Sequence, residues 1–423
     1  MINSLLKEGF LYAFSDSIRK LSPFLLLPVY ISALSLSEFG RLEYITVISA
    51  LASYIIGWGS IQGLLRYYEK KGKYAVSSSM LIIVVIYFLV FLLFNSFDYF
   101  FSLSQFLDLE IKVLNACLFY GFVLSINNLS FTILRYEQRL VEYALINILF
   151  VILQIFFIFY FLIFLDLGFL SKVIGLIASN LILLPFLFFY ILRSKIILSV
   201  SYKTLKEVFY FYTPIAFSNF LGWGSASVDK IAIKAFLGDE QLGIYSFVFQ
   251  LAQIFKLGIE SFLKSLNVFL YKNLNKIKSF LSARHLLLII FQILAIIYLL
   301  LIFIFHNNGL FSEYPVPVLL FSLLILSRVT LLANFIEVIF FYAKTDSKTV
   351  TYSNLISFIF LAIIIAPSVL NFGLIGASFS LLLYGLSNYI ILNFMQEKNL
   401  KRLFLNTIFI IFPWICLFLI CCV

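Results

Sequence analysis

Long apolar segments recur along the whole chain, and they limit the possible folds more than any other feature. A bilayer core of about 30 Å requires about 20 apolar residues of helix. Segments of this size lie at residues 10–32, 43–66, 75–97, 113–134, 142–165, 170–192, 207–234, 242–268, 285–305, 317–342, 350–370, 374–394 and 405–423. Their apolar runs are continuous and do not alternate with polar residues, which excludes a transmembrane β-barrel. We therefore predict an all-α, polytopic membrane protein with 12–13 transmembrane helices.

The composition excludes a water-soluble fold. Hydrophobic residues make up 63% of the chain and charged residues 12%, whereas soluble proteins carry about 25% charged residues. The loops between the apolar segments are too short to hold a soluble domain. Residues 1–10 lack a long apolar run followed by a small-residue cleavage site, so we expect the first span to be retained.

The basic residues indicate the orientation in the membrane. With the N-terminus in the cytoplasm, twenty Lys and Arg residues fall in cytoplasmic loops, and four fall in the opposite loops. Those four are Arg41, Lys112, Lys172 and Lys234. Such an asymmetry is typical of the positive-inside rule. Because it accounts for most of the net charge of +10, that charge gives no reason to expect a nucleic-acid partner.

The two halves of the sequence resemble each other. Residues 37–42 are similar to residues 240–244, and residues 175–179 are similar to residues 376–380. These offsets, 203 and 201 residues, favour an internal repeat, although chance similarity between apolar sequences is the alternative.

Six spans in each repeat would give both halves the same orientation. Parallel repeats of this kind are related by an axis along the membrane normal, and their substrate site lies between the halves. We predict two six-helix lobes around a central cavity. The predicted divisions are an N-terminal lobe at 1–203, a C-terminal lobe at 204–394, and a basic cytoplasmic loop with an extra span at 395–423.

Ten ionisable residues lie inside the predicted spans, where a charge is costly unless it faces a partner or a water-filled cavity. They are Asp16, Arg19, Lys20, Asp229, Lys230, Lys256, Glu260, Lys264, Arg328 and Glu337. Six are basic and four are acidic, so a cavity lined by all of them would carry a net charge of +2. Such a cavity favours an anionic ligand.

Helical spacing places several polar residues on shared faces. On span 8 the polar residues follow steps of 3, 3, 4, 4 and 3, which describe one stripe about 25 Å long. The stripe consists of Gln250, Gln253, Lys256, Glu260, Lys264 and Asn267. On span 1, Asp16, Arg19 and Lys20 share a face in the same manner. Because spans 1 and 7 are equivalent in the repeat, both lobes would contribute a polar first helix to the cavity.

Each of these residues also has a structural interpretation. Asp229, Lys230 and Lys264 lie near span ends and can reach the headgroup region. Glu337 is also compatible with a solvated helix end. For the deeper Arg19, Lys256 and Arg328, the alternative is a structural ion pair.

The sequence carries no pattern typical of an enzyme. It has no phosphate-binding Gly-x4-Gly-Lys-Ser/Thr loop. The two histidines, His285 and His306, lie at span ends, and the four cysteines have no metal-ligand or redox spacing. We predict a transporter that uses no cofactor and no metal. A membrane-embedded sugar or acyl transferase is disfavoured, because it needs a long loop or a His/Asp constellation.

Several motifs resemble those of Wzx-type flippases, which transport O-antigen and other lipid-linked oligosaccharides. These motifs are FLLLPVY at 24–30, LSEFG at 36–40, LLRYY at 64–68, YTPI at 212–215, VDK at 228–230 and FLG at 236–238, followed by GIYS at 243–246. Wzx-type flippases belong to the multidrug/oligosaccharidyl-lipid/polysaccharide exporter (MOP) superfamily. Where they often have Asp-Arg at the end of span 7, this chain has Asp229-Lys230, which keeps the charge but not the bidentate guanidinium. A thirteenth span also departs from the even numbers common in the superfamily.

The resemblance implies a flippase of the bacterial inner membrane. Its substrate would be an undecaprenyl-pyrophosphate-linked oligosaccharide, carried to the outer leaflet by alternating access for the synthesis of lipopolysaccharide or another surface polysaccharide. The implied partners are this anionic lipid-linked substrate, membrane lipids, a coupling proton or sodium ion, and polysaccharide-assembly proteins. The alternative within the superfamily is a cation-coupled multidrug exporter, which predicts an acidic cavity.

On this interpretation the basic residues bind the substrate and the acidic ones balance them. The residues assigned to the pyrophosphate are Arg19, Lys20, Lys230, Lys256, Lys264 and Arg328. The residues assigned to charge balance or to a coupling ion are Asp16, Asp229, Glu260 and Glu337.

Overall fold

The computed structural model describes residues 2–193, 200–272, 284–309, 314–343 and 347–397. These residues form twelve α-helices: α1 (Ile2–Ala33), α2 (Leu36–Gly57), α3 (Ser60–Lys71), α4 (Lys73–Phe101), α5 (Leu103–Phe106), α6 (Ile111–Tyr136), α7 (Leu140–Phe159), α8 (Ser171–Arg193), α9 (Tyr202–Lys272), α10 (Arg284–Asn307), α11 (Val318–Ala343) and α12 (Ser347–Glu397). A π-helical turn, Tyr160–Phe164, extends α7, and a short 3-10 turn, Gly168–Leu170, precedes α8. The predicted all-α architecture is confirmed.

The helices are long enough for a multi-pass membrane protein. Among the described residues, nine helical segments are long and apolar enough to cross a bilayer. Two of them, Tyr202–Glu260 with 59 residues and Lys348–Gln396 with 49, are each long enough to cross it twice at about 1.5 Å per residue. The predicted last span, 405–423, lies outside the described residues.

The predicted second span, 43–66, is interrupted in the structure. α2 begins with a capping box, in which Ser35 and Glu38 satisfy each other's backbone N–H groups. It ends at Gly57, and the next two residues, Trp58 and Gly59, both have positive φ angles, 42° and 70°. The sequence prediction missed this break because it treated residues 43–66 as one span.

Glycine also explains why two pairs of predicted spans are joined without a loop. α9 contains the predicted spans 207–234 and 242–268, and its backbone departs from helical geometry at Gly238, where φ is 84°. α12 contains spans 350–370 and 374–394 and changes in the same way at Gly373, where φ is 58°. A positive φ angle is accessible to glycine at little steric cost.

The chain forms two compact units, Met1–Gly224 and Ser225–Val423. The chain passes from one unit to the other inside α9, so residues 202–224 pack in the first unit. The predicted lobes, 1–203 and 204–394, were drawn from the repeat in the sequence, and this assignment stays a prediction. Of the third predicted region, 395–423, the residues from 398 onward lie outside the described part of the chain.

The first part of α9 is fixed to the first unit by close packing. A Cβ atom on Gly63 would lie 2.0 Å from the ring of Tyr212, so the absent side chain leaves room for that tyrosine. The Tyr212 hydroxyl is hydrogen-bonded to Ser79 Oγ at 2.8 Å. Further along α9, Trp223 Nε1 donates to the carbonyl oxygen of Val47 at 3.1 Å. Small residues that permit close helix approach, together with interhelical hydrogen bonds, are typical of membrane-helix packing.

The contact between α2 and α6 depends on Gly121. A Cβ atom there would lie 2.8 Å from the backbone carbon of Ala52 and 2.8 Å from the backbone nitrogen of Ser53. Because backbone atoms cannot rotate away, any larger residue at this position must separate the two helices.

We expect Gly121→Ala to destabilise the first unit by about 1–3 kcal/mol, the usual cost of overpacking. The matched control is Gly258→Ala on α9, where no described heavy atom lies within 4 Å of an added Cβ. Thermal unfolding of the purified proteins in detergent should show a lower Tm for the first variant only. Equal Tm values for the two variants would contradict this account of the α2–α6 contact.

Candidate substrate-binding residues

A buried arginine is the centre of a charged cluster in the second unit. Arg328 lies near the middle of α11 and is only 7% exposed. Its guanidinium carbon lies 4.5 Å from the centre of the Phe249 ring on α9. The Nζ atom of Lys230 lies 4.9 Å from the centre of the same ring. Both cations are thus stabilised by one aromatic ring, an interaction that strengthens where water is excluded.

Two carboxylates accompany these cations. Asp229 is fully buried, and its Oδ2 accepts a hydrogen bond of 2.6 Å from the Tyr245 hydroxyl. Asp229 and Glu260 are the two carboxylates that interact electrostatically with Arg328 among the described residues. The arginine therefore has partial charge compensation inside its own unit.

The Arg328 guanidinium nevertheless keeps open hydrogen-bond donors. Its Nε and Nη2 atoms are buried and have no hydrogen-bond partner among the described residues. Leaving a buried polar group unpaired costs about 1–3 kcal/mol, and more for a charged group. Arginine donors are arranged as a fork that matches the oxygens of a phosphate or a carboxylate. The arrangement is chemically suited to bind an anionic group.

The polar stripe on α9 continues from this cluster. Lys256 Nζ and Glu260 Oε1 lie 3.5 Å apart, and both side chains are about one-third exposed. An exposed pair of this kind adds little to stability. Gln250 is buried and Gln253 is half-buried, whereas the side chains of Lys264 and Asn267 lie outside the described residues. With Lys230, Lys256 and Arg328 against two carboxylates, the described part of the cluster has an excess of positive charge.

The first unit holds its own in-span arginine. Arg19 is half-buried near the middle of α1, and its guanidinium carbon lies 5.2 Å from the Phe131 ring and 4.7 Å from the Phe150 ring. Its Nη2 atom donates to Asn128 Oδ1 at 3.3 Å. The neighbouring Lys20 is exposed, and the side chain of Asp16 lies outside the described part of the structure.

Glu337 belongs to a different environment from Arg328. Its side chain is fully buried, and its Oε1 accepts a hydrogen bond of 3.4 Å from Asn393 Nδ2 on α12. One turn earlier on α11, Asn334 Nδ2 donates to the carbonyl oxygen of Gly385 at 3.0 Å. Glu337 is thus inside the packing of α11 and α12 and not at a solvated helix end.

Sequence reasoning missed the aromatic residues of the Arg328 cluster. Tyr245 and Phe249 precede the polar stripe on the same helix, and the positions 245, 249, 253, 256 and 260 follow steps of three or four residues. Extending the stripe by two steps toward the N-terminus would have found both. They were not distinguished because the chain contains 52 Phe and 25 Tyr residues.

Sequence reasoning also missed a buried ion pair in the first unit. The prediction places Lys172 in a loop, but in the structure its Nζ lies 2.9 Å from Glu43 Oε1, with exposures of 11% and 4% for the two side chains. Lys172 Nζ also lies 5.9 Å from the centre of the buried Tyr30 ring. Both charges lie near predicted span ends, where hydropathy alone does not separate buried residues from loop residues.

No group of three metal-binding side chains occurs within the described ranges. The described cluster around Arg328 consists of cationic, carboxylate, aromatic and amide side chains, which act by electrostatic attraction and hydrogen bonding.

The fold is similar to that of known membrane transporters. The inward-facing structure of a multidrug resistance MATE family transporter of the MOP superfamily aligns with a TM-score of 0.66 at 15% identity, over 92% of this chain and 94% of that one. The outward-facing structure of such a transporter aligns with a TM-score of 0.59 at 14% identity, over 94% and 95%. A MOP superfamily transporter from Pyrococcus furiosus, described as having a reversed polarity of the binding pocket that suggests a different function, aligns with a TM-score of 0.58 at 15% identity, over 94% and 95%.

The described helices thus have the fold of these multi-pass membrane proteins. Residues 5–266 match the family model of the polysaccharide biosynthesis proteins. Because the match covers more than half of the 423 residues, the chain belongs to this family. The resemblance to Wzx-type flippases of the MOP superfamily is thereby confirmed. A comparison with curated protein sequences gives no significant match.

The Glu43–Lys172 pair allows a direct test of buried charge. Removing one partner leaves an unpaired charge and should cost about 3–5 kcal/mol, whereas removing both should cost much less. We expect Lys172→Met to lower the Tm in detergent strongly, and Glu43→Gln combined with Lys172→Met to recover most of the loss. A double variant as unstable as the sum of the single variants would show that the two side chains do not interact.

Proposed function

We propose that this protein is a flippase for lipid-linked oligosaccharides. Its substrate is an undecaprenyl-pyrophosphate-linked repeat unit of O-antigen or a similar surface polysaccharide. The protein moves the head group by alternating access from the cytoplasmic to the periplasmic leaflet of the bacterial inner membrane, with its own N-terminus in the cytoplasm. The family match supports this proposal, as does the excess of basic residues in alternate loops.

The observation that carries the proposal is the open guanidinium of Arg328. Two buried nitrogen donors face no described acceptor, although the bilayer interior makes such a state costly. A pyrophosphate supplies several acceptor oxygens with a negative charge, which satisfies both the donors and the charge. The stack on Phe249 holds the guanidinium plane in place before the ligand arrives, so less rotamer entropy is lost on binding.

The remaining in-span charges complete the proposed mechanism. Counter-charge for the anion comes from Arg19, Lys20, Lys230, Lys256, Lys264 and Arg328. When the substrate is absent, Asp229 and Glu260 compensate Arg328, and these carboxylates, with Asp16 and Glu337, are the candidates for a coupling proton or sodium ion. Movement of a charged head group across the membrane also makes transport sensitive to the membrane potential.

The alternative is a cation-coupled multidrug exporter of the same superfamily. That function needs a pocket that attracts cations, whereas the described charges around Arg328 are three cations against two carboxylates. The Pyrococcus furiosus neighbour is described as having a reversed pocket polarity, so this fold accepts pockets of different charge.

The test replaces Arg328 and measures the flipping of a lipid-linked oligosaccharide in proteoliposomes. Loss of hydrogen bonds to a charged group costs about 1.5–3 kcal/mol, so Arg328→Gln should slow transport by about 10- to 100-fold. Arg328→Lys should fall between this variant and the wild type, because it keeps the charge but loses the planar fork.

The matched control is Arg66→Gln. Arg66 also stacks on a phenylalanine, Phe211, with its guanidinium carbon 4.6 Å from the ring centre, but it is exposed. We expect this variant to transport normally at equal protein level. If Arg328→Gln transports as fast as the wild type, Arg328 does not belong to the substrate site. If the wild type exports cationic drugs but does not transport the saccharide, the exporter function is favoured.

A further inference from the structure

An apolar groove opens on the first unit between α4 and α9, and none of the charged residues assigned above lines it. Its volume is about 760 Å³, within the range of about 300–1,000 Å³ typical of sites for small ligands. Ile55 of α2 and Trp58, in the break after α2, also line it. We call it the α4–α9 groove.

The floor of the groove is firmly packed, whereas its walls are exposed. Ile82 and Ile86 of α4 are buried against Val208 and Tyr212 of α9. The side chains that rise beside this floor, Val85 and Leu89 on α4 and Phe209 and Tyr210 on α9, are 40–67% exposed. The surface is therefore a preformed apolar channel whose long side is open.

Aromatic contacts fix the positions of Trp58 and Phe209, two residues that line the groove. The rings of Trp58 and Phe209 stack with their centroids 5.8 Å apart and an interplanar angle of 11°. Trp58 Nε1 donates to Thr213 Oγ1 at 3.3 Å, which fixes the indole relative to α9. Because Trp58 is in the break between α2 and α3, one lining residue of the groove belongs to a feature that the sequence did not predict.

The groove has one charged lining residue, Lys206, in the second turn of α9. Within the described ranges, neither Lys206 nor its neighbour Lys203 forms an ion pair, whereas the next residue, Glu207, pairs with Lys71 at 3.4 Å. The ammonium group of Lys206 thus lines an otherwise apolar groove without a carboxylate partner among the described residues. A groove with this lining is complementary to a ligand that has an anionic group at one end of a hydrocarbon chain.

The dimensions fit one leaflet of a membrane. On α4 the lining extends from Leu81 to Val90, which corresponds to about 14 Å of helix, or about half of a 30 Å hydrocarbon core. Lys206 lies near the start of α9, the end predicted to be cytoplasmic. A ligand with its charge at Lys206 would have its chain in the cytoplasmic leaflet.

We propose that the α4–α9 groove binds the first isoprene units of the lipid-linked substrate, with its phosphate beside Lys206, before the head group moves to Arg328. The inference rests on the proposed flippase function, and it adds a site for the tail to the site for the head group. A single channel with one cationic end suits a carrier that has one chain on its phosphate. A glycerophospholipid has two chains, and only one of them would enter.

The experiment uses the full-length protein in phosphatidylcholine vesicles and a polyprenyl phosphate with a diazirine near its phosphate. After photolysis, peptide mass spectrometry should find the label on the groove segments of α4 and α9. Leu89→Trp and Val85→Trp fill the groove at exposed positions and should lower this labelling about tenfold, the loss expected when two methylene groups are kept out of the groove. The matched control, Leu93→Trp, adds the same ring to an exposed position one turn beyond the lining and should label normally.

The role of Lys206 and the identity of the occupant are tested separately. Lys206→Gln should lower labelling by the polyprenyl phosphate but not by the uncharged polyprenol with the same diazirine. Excess phosphatidylglycerol should compete weakly. Equal competition by phosphatidylglycerol would make the groove a site for ordinary anionic phospholipids and overturn the inference, as would labelling that Leu89→Trp leaves unchanged.

Groove labelling and saccharide flipping are measured separately, so the groove assignment and the flippase function can each fail without the other. Arg328→Gln should abolish most flipping while leaving groove labelling intact, since the two residues serve different parts of the substrate. If the wild type labels in the groove but flips no saccharide, the groove remains and the proposed function fails. If it flips saccharides without labelling in the groove, the function remains and the groove assignment fails.

Discussion

In the hydrocarbon core of a membrane, a polar group without a partner costs several kcal/mol, and this cost bears on every charge buried among the described helices. Backbone groups are satisfied inside helices, and most buried polar side chains return a hydrogen bond to their own helix or to a neighbour. Glu43 and Lys172 satisfy each other at 2.9 Å. Arg328 is compensated in charge but not in hydrogen bonding, since two of its nitrogens face no acceptor among the described residues. This difference separates a charge that stabilises the fold from a charge that is available to a ligand.

The same constraint explains how much of the fold the sequence could predict. Apart from α3, every described helix longer than one turn contains most of at least one predicted apolar span, because bilayer thickness and hydropathy together determine where a chain can cross. The break at Trp58 and Gly59 was missed, because it lies inside a segment that was predicted as one span. A tertiary contact leaves no room for a side chain at Gly59: a Cβ atom there would lie 2.7 Å from the carbonyl oxygen of Tyr212, far along the chain.

For the candidate site, the sequence identified residues that stand out by their depth in a predicted span. It did not identify residues whose role depends on a contact partner far along the chain. Arg328 was identifiable because an arginine in the middle of an apolar run needs an explanation. Phe249, which holds its guanidinium, was not, because aromatic residues are common in this chain. Lys172 was assigned to a loop because its partner, Glu43, is 129 residues away and leaves no local pattern. Contacts of this kind depend on packing between helices and become visible only in three dimensions.

An amphiphilic substrate gives the two proposed sites different tasks. Burial of an isoprenoid chain is nondirectional and scales with area, so the groove would hold the carrier without distinguishing its sugar. The guanidinium of Arg328 is directional and recognises an anion, which allows it to select the head group. The phosphate would leave Lys206 when the head group reaches Arg328, so the two sites would act in succession and neither needs high affinity. Weak binding at each point favours release, which a flippase requires as much as capture.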